Sequence, residues 1–370
     1  MNKERIVIYG GAFDPFHLGH LHLGQAAKKF VKASKVLYIP DKNPPWKDAK
    51  VSYKERLHLL ELGLKGQKDL LPLDLEDEEE RNYTYLTLRK LMKICPQEQY
   101  ELYFLIGEDQ AEALDKWKNL EEITKEVTFL IYPRGSRREI KSIPYEGKFL
   151  YLPEARLIDV SSTSVREGRN FHVPYDVYEE MVRNDLYFMK KAHAFYKETR
   201  YQHALRVALL SYQIAETNGL DPYEALMAGY YHDITKKGES PLLHEKVKKE
   251  YSYLFPEEVM PDWAYHQFSA PYLLQEEFGV QDELVLDAIR VHTTGSGKMS
   301  WLAKIIYAAD KIEPGRGYDS EFMIRAMKED YNKGFILVLN ENRKYLEKNG
   351  KSMVLDQWTK DCYSTYLGGI

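Results

Sequence analysis

Residues 6–20 read Ile6-Val7-Ile8-Tyr9-Gly10-Gly11-Ala12-Phe13-Asp14-Pro15-Phe16-His17-Leu18-Gly19-His20. An apolar run reads as a strand, two glycines end it, and an acid and two imidazoles follow. Glycines there let a phosphate or nucleotide approach the backbone closely and tolerate positive φ. His17 and His20 are three apart, so a helix beginning near them puts both on one face. Two imidazoles at a helix N-terminus suit a polyphosphate. A lone His-x-x-His is more often a pair of surface histidines on a strand–turn–helix. The strand and the Gly-Gly in front of it favour the phosphate reading here.

From this stretch the pattern alternates. Strands are expected at Ile6–Tyr9, Val36–Ile39, Leu102–Ile106, Val127–Ile131 and Leu150–Leu152. Helices are expected at His20–Phe30, Lys54–Leu64 and Tyr83–Lys93. Such alternation predicts parallel βαβ units, whose ligands lie outside the carboxyl ends of the strands. Gly10, Pro40, Gly107 and Pro133 all follow strands, so the segments after them should line one crevice. Glu76–Glu80 reads as a solvated acidic loop. After about Tyr175 helical periodicity takes over, with helices expected at Tyr201–Asn218, Pro222–Tyr231, Ala264–Phe278, Glu283–His292 and Trp301–Ile312. Gly219, Gly279 and Gly315 sit where helices should end. The boundary falls near Lys190–Lys191, giving domains 1–190 and 191–370. The expected fold class is α/β plus all-α: a Rossmann-like parallel sheet followed by a helical domain.

The 370 residues suit two or three domains. A net charge of −5 gives no basic field for nonspecific nucleic-acid binding. Cys95 and Cys362 are the only two cysteines, too few for a disulfide framework or a Cys-rich zinc site. The N-terminus runs into a strand without a signal-peptide pattern. No apolar run approaches the ~18 residues that span a bilayer. The expectation is a cytoplasmic protein with small-molecule substrates, no nucleic-acid partner and no membrane partner.

A second chemistry-bearing stretch is Ser161-Ser162-Thr163-Ser164-Val165-Arg166. Hydroxyls and amides opening a helix can hold phosphate oxygens, and Arg166 adds a forked cation. An ordinary helix N-cap explains the serines equally well on their own; the pairing with His17 and His20 favours phosphate. Together the two stretches resemble the HxGH nucleotidylyltransferase superfamily, and more narrowly the nicotinate mononucleotide adenylyltransferases, over about residues 5–190. Asn43-Pro44-Pro45-Trp46-Lys47 resembles that family's Pro-Pro-His-Lys, with Trp46 in place of His. Tyr83–Leu88 resembles its Ser-Tyr-Thr-x-x-Thr-Leu element, and Ile106-Gly107-Glu108-Asp109 with Trp117 its Gly-x-Asp…Trp segment. Tyr132-Pro133-Arg134-Gly135 departs from the family's Arg-Pro-Gly order.

The resemblance implies in-line attack of a mononucleotide phosphate on the α-phosphate of ATP, with no protein nucleophile. His17, His20, Lys47 and Arg166 would neutralise the triphosphate, and Mg²⁺ would bridge its oxygens. Gly10, Gly11, Phe13, Asp14, Ser161, Ser162 and Thr163 would line the ATP site. Trp117 would stack on the pyridine ring, with Thr84 and Tyr85 near its carboxylate and Asp109 near the mononucleotide. On the residues alone, half-buried packing explains Trp117 equally well.

In the second half, His203, His232, Asp233, His266, His292 and Asp310 spread over several expected helices. A His-Asp dipeptide alone says little. Six imidazole and carboxylate groups suit Fe, Mn or Zn, and helix packing can bring them together. The bland alternative is scattered surface histidines. The pattern H…HD…H…H…D resembles the HD-domain metallophosphohydrolases. Its flanks, His232–Lys236, His292–Gly295 and Ala308–Arg316, look like the bacterial HD family that cleaves diadenosine tetraphosphate symmetrically to two ADP, over about residues 193–355. The resemblance implies a catalytic Asp233 bridging two divalent metals, with iron the expected metal. Lys236 and Arg316 are candidate phosphate contacts, or solvated charges. Gln267-Phe268-Ser269 replaces small residues of the family and bears on pocket shape.

The expected protein is therefore a fused bifunctional enzyme acting on ATP, nicotinate mononucleotide and diadenosine tetraphosphate. One rival keeps both folds but changes the acceptor and the nucleotide cleaved. Another makes the HD domain a noncatalytic binding module.

Overall fold

The computed structural model describes residues 3–42, 49–75, 83–133, 148–152, 158–238, 240–349 and 355–368. It divides into two compact units, 1–166 with 172–187, and 167–171 with 188–370. Lys47, the rest of 43–46, Glu76–Glu80, Arg134 and Gly135 lie outside the described residues.

The first unit is built on six parallel strands: β1 Glu4–Gly11, β2 Lys35–Pro40, β3 Leu70–Pro72, β4 Tyr100–Gly107, β5 Thr128–Tyr132 and β6 Phe149–Tyr151. Their order is β3-β2-β1-β4-β5-β6. Between strands run α1 Leu18–Val31, α2 Tyr53–Gly63, α3 Thr84–Ile94, α4 Glu108–Glu112 and α5 Leu120–Glu126; α6 Ser162–Arg166 and α7 Tyr175–Arg183 follow the sheet. The central strands are buried on both faces. Ile6, Ile8, Ile39, Phe104, Ile106 and Phe129 join one core with Leu88, Leu91 and Ile123, while Val7, Val36, Tyr38, Leu105 and Leu130 are buried on the other face. That is why these strands read as continuous apolar runs.

Tyr38 sets the place of α1. A Cβ on Gly24 would lie 1.9 Å from the Tyr38 hydroxyl oxygen, so α1 can approach the sheet only because residue 24 has no side chain. The same hydroxyl donates to the carbonyl of His20 at 3.1 Å. The order reverses between β1 and β4, so the crevice beyond their carboxyl ends is the natural ligand site of such a sheet.

The second unit is helical: α8 Phe188–His193, α9 Glu198–Thr217, α10 Pro222–Tyr231, α11 Pro241–Tyr251, α12 Tyr265–Leu273, α13 Glu283–Arg290, α14 Trp301–Ile312, α15 Glu321–Glu329, α16 Tyr331–Lys348 and α17 Gln357–Leu367. The expected helix over Ala264–Phe278 is three pieces. Asp262–Ala264 is a 3₁₀ turn, α12 contains Pro271, and Leu274–Phe278 forms a π turn before left-handed Gly279. A proline inside a helix removes one backbone donor, and the wider turn after it is the accommodation observed. Gly219 is also left-handed after α9, as expected, but Gly315 is not; Gly317 takes positive φ after α14 instead. The expected helix ending at His292 stops at Arg290, so His292 sits just past α13.

Candidate active sites

At the first site, β1 ends with Gly10 and Gly11 paired to Ile39 and Pro40. Neither glycine has positive φ; Phe13 does, at φ 46°. A Cβ at Gly10 or Gly11 would meet only aromatic ring atoms at 3.4–3.8 Å, an ordinary contact. Neither backbone strain nor protein packing therefore demands these glycines. What their missing side chains leave is open backbone at the end of the strand.

His17 is the N-cap of α1 and His20 its third residue. The rings stack at 3.6 Å between centroids, 23° apart. The His17 amide donates to His20 Nδ1 at 3.3 Å, which leaves the proton of the neutral His20 ring on Nε2. Phe16 also stacks on His20, at 5.7 Å between centroids. The two imidazoles thus share a face, as the spacing predicts.

The Ser161–Arg166 segment comes to the same turn. Ser162 Oγ donates to the Pro15 carbonyl at 3.1 Å and Arg166 Nη1 to the Asp14 carbonyl at 2.5 Å. Arg166 Nη2 also donates to Thr163 Oγ1 at 3.0 Å. Ser161 and Ser164 cap each other reciprocally, each backbone amide 3.0 Å from the other's hydroxyl, so the N-cap role is real for this pair. Asp14 turns inward. Its carboxylate accepts from Tyr187 Oη and from the Lys50 amide, both at 2.8 Å.

On the β4 side, Asp109 lies in the first turn of α4, directly after the strand. Trp117 is half-buried, edge-on to Phe104 and Phe129 at 6.1 and 6.2 Å. Thr84 opens α3, and Tyr85 packs on the same core as Trp117. Lys118 Nζ donates to Tyr83 Oη at 2.9 Å, tying the start of α3 to the Trp117 segment.

At the second site the six expected residues converge. His203 comes from α9, His232 and Asp233 follow α10, His266 lies on α12, His292 follows α13 and Asp310 lies on α14. A Cβ on Gly229 would lie 2.7 Å from Ala208 Cα, so α9 and α10 approach backbone to backbone just before His232. His203 Nε2 and His232 Nε2 are consequently 3.3 Å apart. His266 Nε2 and His292 Nε2 form a second pair at 3.1 Å.

Asp233 stands between the pairs. Its Oδ2 faces His232 Nε2 at 3.5 Å and His203 Nε2 at 3.8 Å; its Oδ1 faces His266 Nε2 at 3.3 Å and His292 Nε2 at 3.7 Å. Asp310 Oδ1 completes the first group, 3.1 Å from His203 Nε2 and 3.7 Å from His232 Nε2.

The donor set fits divalent metal. His232 Nδ1 donates to the Gly229 carbonyl and His292 Nδ1 to the Ile289 carbonyl, each at 2.7 Å. A carbonyl can only accept, so both rings carry their proton on Nδ1 and turn Nε2 inward, the arrangement of metal-ligating histidines. Burial pushes His292 below the usual imidazole range, and burial and neighbouring His292 push His266 well below it. Burial alone would raise Asp233, yet His232, His292, His266 and Lys236 hold its carboxyl well below the ordinary value. Asp310 is likewise held down against burial by His203 and His232. Neutral imidazoles and ionised carboxylates are the metal-binding forms. Ligand atoms of His203, His232 and Asp310, and those of His232, Asp233 and His292, each fall within 4.8 Å of one another.

Cations rim this cluster. Lys236 Nζ is 3.4 Å from Asp233 Oδ1, and the Arg316 guanidinium donates to both the carbonyl and the carboxylate of Asp310. Gln267 and Ser269 turn inward as braces. Gln267 Oε1 accepts from the Thr293 and Thr294 amides at 3.2 Å, and Ser269 Oγ donates to Thr235 Oγ1 at 2.8 Å.

Comparison with known proteins matches residues 8–168 to the Cytidylyltransferase-like family and residues 200–315 to the HD domain. A Mycoplasma genitalium protein named "Probable nicotinate-nucleotide adenylyltransferase/Ap4A hydrolase" is 30% identical over 346 residues, 91% of this chain and 97% of its own. The chain belongs to this fused two-domain family. The Mycoplasma pneumoniae protein of the same name is 30% identical over 93% of this chain and 100% of its own. A Listeria monocytogenes protein named "Probable nicotinate-nucleotide adenylyltransferase" is 33% identical over 51% of this chain and 100% of its own. Membership carries an HD domain and with it divalent-metal binding, for which the ligand groups above are present.

Several residues of this family member escaped the sequence reading. Arg200 Nη1 lies 2.9 Å from Asp233 Oδ2. It stands three residues before His203 on α9, so helical spacing could have found it. Arg56, 1% exposed on α2, donates to the carbonyls of Ala12 at 2.6 Å and Lys42 at 3.1 Å. An arginine in an amphipathic helix carries no sign that it will be buried. Tyr187 meets Asp14, and Glu313 meets His203, only through tertiary structure.

Proposed function

We propose that the chain is a bifunctional enzyme. Its first unit transfers the adenylyl group of ATP to nicotinate mononucleotide, giving nicotinate adenine dinucleotide and pyrophosphate. Its second hydrolyses diadenosine tetraphosphate to two ADP. The observation that carries this is the match over 91% of the chain to a relative whose name joins the two activities.

At the first site ATP enters as its Mg²⁺ complex. A phosphate oxygen of the mononucleotide attacks the α-phosphorus, the bond to the bridging oxygen breaks, and pyrophosphate leaves. On this reading His17, His20, Lys47 and Arg166 stabilise the charge on the triphosphate. Gly10, Gly11 and Phe13 let it approach the backbone, and Ser161, Ser162 and Thr163 line the same turn. Asp14 shapes that turn from beneath. Thr84, Tyr85, Asp109 and Trp117 hold the mononucleotide, with one face of Trp117 against the pyridine ring. The Ser162 and Arg166 bonds to the 14–15 turn support this assignment, because they unite the two motif segments at the point where strand order reverses.

At the second site His203, His232, Asp233, His266, His292 and Asp310 would hold two divalent metals, with iron the metal proposed. Such metals supply Lewis-acid polarisation of a phosphate and make water acidic enough to act near neutral pH. Asp233 fits the shared position, because its two oxygens face different imidazole pairs. Lys236, Arg316 and Arg200 would carry the phosphate charges once those cations release the carboxylates.

The test is a product assay on the purified full chain. ATP with nicotinate mononucleotide should give the dinucleotide faster than ATP with nicotinamide mononucleotide, and diadenosine tetraphosphate should give ADP alone. A preference for another acceptor, or AMP with ATP as the cleavage products, would overturn the corresponding half.

A further inference from the structure

The six metal-site residues do not account for a carboxylate buried beside them. Glu313 follows α14 and is 1% exposed. Its Oε1 accepts from His203 Nδ1 at 2.9 Å. Its Oε2 accepts from Arg206 Nε and from the Gly315 amide, both at 2.6 Å. A Cβ on Gly315 would lie 2.3 Å from Arg206 Nε, so the absence of a side chain there makes room for the guanidinium. Burial alone would raise Glu313, but Arg206, His203 and the Gly315 amide hold it below the ordinary glutamate value.

His232 and His292 rest on neutral carbonyls three residues back in their own chain segments. His203 instead rests on a full negative charge from a segment 110 residues away. The same carboxylate caps the 3₁₀ turn Pro314–Arg316, from which Arg316 reaches Asp310.

We infer that Glu313 is a positioning residue of the second site: it fixes the His203 proton on Nδ1, aims Nε2 at Asp310 and Asp233, and sets the turn that delivers Arg316. The inference rests on the metal reading of the cluster. A carboxylate behind a ligating imidazole orients the ring and raises its basicity, and losing such a partner typically weakens metal binding by about 10–100-fold. Arg206 keeps that carboxylate from being an isolated buried charge.

The test uses the full chain, Co²⁺ as the probe metal and a competing chelator, with the visible Co²⁺ spectrum as the signal. Glu313→Ala should weaken Co²⁺ binding by about 10–100-fold and change the spectrum. Glu313→Gln should fall between it and the wild type, because one acceptor oxygen remains for Nδ1–H. The His203 Nδ1–H proton resonance, expected far downfield in the loaded wild type, should move upfield in Glu313→Gln and vanish in Glu313→Ala. Should Glu313→Ala fail to fold, the isosteric Gln variant decides alone. Wild-type affinity and an unmoved resonance in the folded variants would overturn the inference while leaving the metal reading intact. A wild-type chain that takes up no Co²⁺ would end both.

Discussion

Asp14 offers the sharpest test of how the first site is built. The residue lies in the motif expected to meet ATP, yet it is 5% exposed and its carboxylate is used inside the protein. Tyr187 Oη and the Lys50 amide donate to its two oxygens at 2.8 Å, and Arg166 Nη1 lies 3.9 Å from Oδ2. Burial lowers the Arg56 pKa, and the charges of Asp14 and Asp41 oppose that shift. Asp14→Ala takes the carboxylate acceptor from two part-buried donors, at about 1–3 kcal/mol each, and removes a counter-charge from a buried guanidinium. A total near 4 kcal/mol follows. Asp14→Asn should cost about half as much: its amide oxygen can still accept from Lys50, and the Tyr187 hydroxyl can rotate to accept from its NH₂. For a unit of this size ~4 kcal/mol corresponds to a fall in Tm of about 8–16 °C. Thermal proteolysis of the full chain, read by mass spectrometry, would assign the shift to peptides from 3–42 and 49–75. An unchanged Tm in Asp14→Ala would refute the reasoning. Lost adenylyl transfer at unchanged Tm would make Asp14 a ligand contact instead.

Asp233→Ala should lose bound metal and diadenosine tetraphosphate cleavage together while adenylyl transfer continues; cleavage that persists would remove Asp233 from the metal centre. Gly229→Ala forces a Cβ to within 2.7 Å of Ala208 backbone, so it should cost about 1–3 kcal/mol by overpacking and loosen metal retention against a chelator. Unchanged melting and retention would show slack between α9 and α10. Cys95 and Cys362 are both buried, and burial pushes the Cys362 thiol up to about 12. Thiolate is the reactive form, so a thiol reagent at pH 8 should label neither cysteine until guanidinium unfolds the chain; fast labelling of the native protein would contradict that burial.

How far the sequence reaches depends on whether a residue's partner is near it in the chain. Pro222–Tyr231 and Trp301–Ile312 are helices at the bounds expected from the sequence, because caps and apolar spacing are local signals. The pairing of His17 with His20 is equally local. The three-residue strand Leu70–Pro72 escaped because a run that short carries no period, and it exists only by pairing with β2. The strand expected over Ile6–Tyr9 continues through Gly10 and Gly11, and Phe13 makes the left-handed step, which nothing in its residue type announces. Gly315 looked like a helix end, yet its lack of a side chain serves the approach of Arg206.

The two sites handle the same anion by opposite means, and that difference explains which of their residues could be found. At the first, charge on the triphosphate would be met by imidazoles and cations drawn from short, contiguous stretches, so one motif exposes most of the site. At the second, carboxylates and neutral imidazoles must first be held around positive metal, brought together from five separate helices or the segments that follow them. Removing four imidazole rings and two carboxylates from water has a cost that only full pairing can offset. The pairing groups are therefore as constrained as the ligands. Gly229 and Ile289 supply it through carbonyls, which no sequence pattern reveals; Glu313 supplies it through a charge. A search of sequence for ligands alone will find His203 and pass over the carboxylate that aims it.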